Sequence, residues 1–321
     1  MKRKFVALTL TAGMLVSMTA CGGGSDTASE DNTASATEDT AGDSAQEAAD
    51  DAADTGEDTQ AENAGSSADV ETVTDGVLTV ATSPDFAPYE FYAIGDDGTP
   101  QLAGFDMALA QYIADYMGLE LEVIPVDFDG VISELQTKAV DLGMAGLSPD
   151  PARESVMDFS DIYYTGGQSL VTTKENADKF NSFEAINNPD VTVGAQTASI
   201  QLDLAQTNSP DADIISLPKV TDIIAELLAG TMDAAYIETV VAESYQSNYP
   251  NLEIVMDVPY DQEGSAIGVC KDNEGLLNAV NEAIAAAIED GSMDKFVAEA
   301  NEQASGQTYE GLLDEEGNIQ E

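Results

Sequence analysis

The chain reads as an α/β protein built in two lobes joined by two crossings, and three observations predict this. Short apolar strands alternate with helical patterns from Val77 to Ala145, and again from Val191 to Gln246. That β-α-β-α-β order implies parallel sheets with helices on both faces. Gly264 to Cys270 then reads as a strand that returns to the first set, so the chain passes between lobes twice. Two short crossings make a hinge that can close on a ligand. The first lobe is then expected over 73–167 with 262–321, and the second over 168–261.

Composition narrows the function. The 321 residues carry 61 Asp and Glu against 10 Lys and Arg, a formal charge of −51. Nucleic acid needs a basic surface, so it is not expected as a partner. Histidine is absent, which excludes histidine catalysis and histidine metal ligation. No cofactor or metal is expected, and no Gly-x-x-x-x-Gly-Lys-Ser/Thr phosphate loop is present.

Lys2, Arg3 and Lys4 precede an apolar run, Phe5 to Val16, that is too short for a comfortable membrane span. Next comes Met18-Thr19-Ala20-Cys21-Gly22, small residues ahead of a cysteine, which looks like a bacterial lipobox with Met18 in place of the more usual leucine. That resemblance implies cleavage before Cys21 and lipidation of it, which sets 1–21 as a lipoprotein signal. An ordinary signal peptide cleaved nearby is the alternative. A lipidated Cys21 would leave Cys270 as a small apolar residue in a strand. Residues 22–72 hold 15 Asp and Glu and no Lys or Arg. Such a segment cannot bury enough apolar surface to offset its ordering entropy. It reads as a disordered acidic tether with a reach on the order of 40 Å.

The folded part opens with the strand Val77 to Thr82 and an aromatic-rich loop, Ser83 to Phe91. Loops after strands of α/β sheets form ligand crevices. Gly104-Phe-Asp106 opens a helix to Met117, Leu121 to Val126 is a strand, and Val131 to Thr137 a helix. In the second lobe the strands are Gln168 to Thr173, Val191 to Ala195, Asp213 to Leu217, Ala234 to Ile237 and Leu252 to Met256. Helices are expected over Ser199 to Gln206, Val220 to Leu228 and Thr239 to Gln246, and near the end over Asn273 to Glu289 and Met293 to Ala300.

The most telling stretch runs from Met144 to Tyr164. A strand, Val140 to Ala145, enters the turn Gly146 to Ser148. Asp150 before Pro151 then reads as an N-cap with proline at the first helical position. Arg153 would lie in that helix's first turn. Backbone N–H groups, the Ser148 hydroxyl and the Arg153 guanidinium would converge on one point, a site for a carboxylate.

Gly-Leu-Ser-x-x-x-x-Arg (146–153) followed by Val-Met-Asp-Phe-Ser-Asp-x-Tyr-Tyr (156–164) resembles the polar amino-acid-binding solute-binding proteins, family 3, of bacterial ABC importers. The resemblance spans roughly residues 77 to 300. It implies a type II periplasmic-binding-protein-like fold and a receptor without chemistry of its own. Carried over residue by residue, it puts Gly146, Ser148 and Arg153 on the ligand's α-carboxylate. Backbone N–H groups around Ala198, Ser199, Ile200 and Gln201 join them. The family usually has glycine where Ala198 stands, and alanine pays a steric cost if positive φ is needed there. Glu238 would meet the α-amino group, or serve simply as an acid at a helix N-terminus. Phe86 and Phe128 would wall the side chain, with Tyr89 and Tyr260 as weaker candidates. Ser83 stands where some relatives carry Asp, and Gln196 faces the same region from the second lobe.

Of seven Lys and Arg beyond residue 72, only Arg153 is well placed, so a dicarboxylic ligand would lack a second cation. A neutral polar or cationic amino acid is favoured. The partners implied are an ABC permease with its ATPase and the membrane through a lipid anchor, for a monomer on the extracytoplasmic face. Two alternatives stand: a cyclohexadienyl dehydratase-like enzyme with Glu90 or Glu238 as general acid, and a receptor for a membrane signalling partner.

Overall fold

The computed structural model describes residues 70–95, 98–261 and 264–306. Cys21, its leader and nearly all of the 22–72 stretch lie outside the described residues.

The first lobe is built on a five-stranded sheet ordered β5-β1-β6-β13-β7. Strand β1 (Val77–Thr82) lies parallel to β5 (Glu120–Pro125) and β6 (Leu142–Gly143). Five of the six β1 residues are buried, as expected for a strand covered on both faces. The expected strand over Val140 to Ala145 pairs only at Leu142–Gly143. Helix α1 (Phe105–Met117) buries Leu109, Ile113 and Met117, one face at intervals of four. Gly118 ends it in the left-handed conformation, its N–H returning to the carbonyls of Ala114 and Asp115. Helix α2 (Phe128–Gln136) starts three residues earlier than expected, with Asp127 as its N-cap residue. Ahead of α1, the expected loop from Ser83 to Phe91 is partly strand. Its residues join β2 (Asp85–Phe86), β3 (Glu90–Ile94) and β4 (Pro100–Ala103) in a small antiparallel sheet.

The largest correction concerns the stretch after Ser148. Asp150 does cap, its Oδ1 accepting from the Ala152 N–H at 2.9 Å. The capped element is only a single 3₁₀ turn, Pro151–Arg153. From Met157 the chain is already strand β7 (Met157–Tyr164), antiparallel to β13 (Ser265–Cys270). Phe159, Ile162, Tyr163 and Tyr164 are aromatic or β-branched, and such residues suit a sheet better than a helix. No α-helix N-terminus therefore faces Arg153 from its own segment.

The second lobe carries the other five-stranded sheet, ordered β10-β9-β11-β8-β12. Its strands are β8 (Gln168–Thr173), β9 (Thr192–Gln196), β10 (Asp213–Leu217), β11 (Ala234–Glu238) and β12 (Leu252–Asp257). The parallel trio β10, β9 and β11 is flanked by antiparallel β8 and β12. Helices α3 (Phe183–Ile186), α4 (Ile200–Asn208), α5 (Val220–Ala229) and α6 (Thr239–Asn248) connect them. Helices α7 (Glu274–Glu289) and α8 (Ser292–Ala304) close the first lobe.

The chain leaves the first sheet after Tyr164 and returns to it at Ser265, which gives two crossings. The outgoing one contains Gly166 and Gly167. A Cβ on Gly166 would sit 2.1 Å from Glu238 Oε1, so this crossing has no room for a side chain. A continuous apolar cluster runs from Leu78 and Ile113 through Tyr89 to Ile223 and Tyr245, so the lobes touch across the cleft. Among the described residues no helix is long and apolar enough to cross a membrane. Cys270 is a buried free cysteine in β13, as the strand reading expected.

Candidate functional site

Arg153 lies at the bottom of the cleft with only 8% of its surface exposed. Its guanidinium donates to the Ser148 carbonyl at 3.4 Å and, across the cleft, to the Ala198 carbonyl at 2.8 Å. It also lies over the Phe128 ring, 5.7 Å from the centroid. A guanidinium has five N–H donors in a planar fork, so the group retains donors for an incoming carboxylate. Burial pushes its pKa down, and the nearby acids Asp150 and Asp203 push it back up.

Gly146 has φ of 56°, and its N–H donates to Asp106 Oδ2 at 3.1 Å. A Cβ there would fall 2.7 Å from Phe86 Cε1, so the Phe86 ring lies against this turn. Asp106 thus does more than favour a helix terminus. It pins the Gly146 turn from beneath, fully buried, with its pKa raised by burial from 3.8 to about 6. Glu90 lies fully buried nearby. Its two oxygens make no hydrogen bond among the described residues, and burial with the adjacent acids Asp106 and Asp85 raises its pKa well above normal. This carboxyl is held neutral under the site floor.

From the second lobe, Ala198 occurs at φ of 62°, the conformation that glycine adopts without strain. Ser199 caps α4, accepting from the Leu202 N–H and donating to the Gln196 carbonyl. Ile200 and Gln201 open that nine-residue helix, so this N-terminus faces the Arg153 side of the cleft. The Gln201 amide donates to Gln168 Oε1 at 2.8 Å.

Glu238 is the N-cap of α6, accepting from the Val241 N–H at 3.0 Å, as one of its two sequence readings expected. It is also 4% exposed, beneath the Gly166 crossing. Tyr89 of the first lobe reaches it at 3.5 Å. Burial raises its pKa from 4.5 to about 7, against the N–H groups of Val241, Val240 and Gly167, which lower it. Tyr89 packs in an aromatic stack with Phe86, Phe105 and Tyr164 and bonds Ser265, which makes it a support of the cleft floor. Tyr260 instead accepts from the Gly264 N–H at the return crossing, away from Arg153.

Ser83 and Gln196 meet at a residue that sequence reasoning missed. Asp85 Oδ1 accepts from the Ser83 hydroxyl at 2.8 Å. Its Oδ2 accepts from the Gln196 amide at 3.4 Å and from the Val220 N–H, the first of helix α5. Helix α5 has no side-chain cap of its own, so an acid from the opposite lobe caps it. The signal was available: Asp85 stands two residues past Ser83 on the same strand-like stretch. A cavity of about 780 Å³ opens beside it, with Ser83, Asp85 and Asp127 on one lobe and Lys219 and Thr221 on the other.

An anion-binding floor on one lobe, a helix N-terminus on the other and a buried acid at the hinge define a two-lobe receptor for a small zwitterion. The sequence comparisons agree with that class. Residues 78–301 match the bacterial extracellular solute-binding proteins, family 3, and the chain belongs to this family. It is 34% identical over 223 residues to the arginine-binding extracellular protein ArtP of Bacillus subtilis, covering 68% of this chain and 84% of the relative. The structure resembles the amino acid ABC transporter substrate-binding protein AbpA of Streptococcus pneumoniae bound to L-arginine. That match has a TM-score of 0.69 at 34% identity, covering 72% of this chain and 97% of the other. A more distant relative is the cyclohexadienyl dehydratase of Pseudomonas aeruginosa, 27% identical over 177 residues, covering 55% of this chain and 65% of the enzyme.

Proposed function

We propose that this protein captures an amino acid with a cationic side chain outside the cell membrane and delivers it to an ABC permease and its ATPase. The observation that carries the reading is the Arg153 guanidinium at the cleft floor, in direct contact with the Ala198 turn of the other lobe. In this reading Arg153, Ser148 and the Gly146 turn hold the α-carboxylate together with the N–H groups at Ile200 and Gln201. Charge-assisted, bidentate bonds of this kind are the strong ones. Glu238 pairs with the α-ammonium, and Phe86 and Phe128 flank the side chain. A ligand gripped by both lobes favours the closed form in proportion to its differential affinity. Similarity to two arginine-binding relatives supports the choice of a cationic ligand. Lipidation at Cys21, with the acidic stretch as a tether, would keep the receptor at the extracytoplasmic face as a monomer.

The test is a thermal-shift screen of the full chain in detergent against the twenty amino acids, ornithine, citrulline, cystine and prephenate. A ligand that binds only the native state raises Tm by mass action. Shifts led by arginine, lysine or ornithine are expected. A shift with prephenate alone would favour dehydratase chemistry instead.

A further inference from the structure

Within the amino-acid-receptor reading, we infer that Asp85 selects the ligand: its carboxylate, at the edge of the inter-lobe cavity, receives the guanidinium or ammonium of the ligand's side chain.

The first ground is the set of partners around Asp85. The carboxylate is 5% exposed, and its hydrogen-bond donors are a hydroxyl, an amide and a backbone N–H, all neutral. A buried carboxylate without a countercharge is costly, and a cation beside it recovers much of that cost. Lys219 lowers its pKa from a distance, but that ammonium lies at the half-exposed rim, 3.9 Å from Asp127. Oδ1 accepts from Ser83 alone among the described residues, and a carboxylate oxygen can accept more than one donor.

The second ground is the cavity itself. Two acids, Asp85 and Asp127, face one lysine across about 780 Å³. That balance opposes a ligand carboxylate and favours a cation. Tyr92, Pro100 and Pro125 supply apolar wall for a methylene stem, as long cationic side chains require.

The third ground is continuity with the carboxylate end. Phe86 lies against the Gly146 turn, and its chain neighbour Asp85 borders the cavity. One residue therefore separates the α-carboxylate floor from the proposed side-chain acceptor.

Burial raises the Asp85 pKa from 3.8 to about 6, with Asp127 raising it further and Ser83, Val220 and Lys219 lowering it. Glu90 is the other acid coupled to it. A bound cation would favour the ionised form, so preference for a cationic ligand should weaken as pH falls through 6.

Arginine and citrulline differ mainly in the charge of the terminal group, so their affinity ratio isolates this contact. Calorimetric titration of the full chain at pH 7.5 should show arginine favoured at least tenfold. Asp85→Asn also weakens the cross-lobe cap of α5, but that loss falls on both ligands alike. The variant should bring the two affinities within about threefold of each other. Equal affinities in the unaltered protein, or an undiminished arginine preference in Asp85→Asn, would overturn the inference and leave the amino-acid receptor standing. Binding of neither ligand nor any other amino acid would remove both readings. If Asp85→Asn does not fold, the unaltered protein decides: the ratio should shrink between pH 8 and pH 5, and a constant ratio refutes the role. Glu238 titrates for both ligands equally and cancels.

Discussion

The Arg153 guanidinium and the Ala198 carbonyl meet at 2.8 Å across the cleft, one from each lobe. The contact joins the floor of the anion site to the turn that starts α4. Arg153 is thus placed to serve closure as well as ligand binding. Arg153→Ala should weaken binding of every amino acid by about 100-fold or more, since truncating one partner of a buried charged pair costs about 2–5 kcal/mol. Calorimetry with arginine and glutamine checks this, and retention of affinity within threefold would remove Arg153 from the site.

Ala198 adopts φ of 62°, where a Cβ crowds the following carbonyl. That conformation costs an L-residue about 1–2 kcal/mol. Glycine relieves it but gains unfolded-state freedom worth about 0.4–1 kcal/mol. Ala198→Gly should therefore raise stability by about 0.5–1 kcal/mol, the difference between those two effects, read as a higher denaturant midpoint at unchanged m-value. A lower midpoint would mean that the methyl packs usefully.

Glu238 gives the site a pH dependence whose sign can be worked out. Its carboxyl is raised from 4.5 to about 7, so the unliganded folded state holds the proton more tightly than the unfolded chain. Its contribution to stability is therefore full below pH 4.5 and is lost as pH rises through 7. Binding runs the other way. An α-ammonium pairs with the ionised form, so affinity for any amino acid should fall as pH drops below 7, with proton release on binding at pH 6. Glu238→Gln should flatten this profile. An unchanged pH profile in that variant would assign the dependence to another group.

Gly166 packs on Glu238 so closely that a Cβ would fall 2.1 Å from Oε1. Gly166→Ala should displace the carboxylate and lower amino-acid affinity at least tenfold, while far-ultraviolet circular dichroism stays native. Gly167→Ala meets Thr239 Oγ1 at 2.9 Å instead and should have the smaller effect on binding.

Cys21→Ser should move the protein from the membrane fraction to the soluble fraction on fractionation. Continued membrane association would rule out Cys21 as the point of attachment.

The strand and helix order of both lobes was legible in the sequence because strands covered on both faces must be apolar, and α1 and α5 carry one-sided stripes. The ends of elements were less legible. The stretch after Asp150 has the capping chemistry of a helix, and the cap forms, but β13 offers Met157–Tyr164 an antiparallel partner. Sheet pairing with a strand over a hundred residues away outweighed a local signal. The short sheet of β2, β3 and β4 was missed for a related reason, since the two-residue strand β2 is too brief to show alternation.

The sequence by itself determined the candidate ligand-facing residues that sit in linear motifs: Gly146, Ser148, Arg153 and the acid Glu238. Those positions are set by local backbone chemistry, a turn, an anion-binding guanidinium and a helix cap. Only the tertiary structure decided which residues meet across the cleft. Asp85 lies 135 positions from Val220 and caps its helix from the other lobe. Asp106 lies 40 positions from Gly146 and holds its turn. Contacts so far apart in the chain depend on lobe packing, and burial there is what shifts the acids toward neutrality and sets the charge the ligand meets.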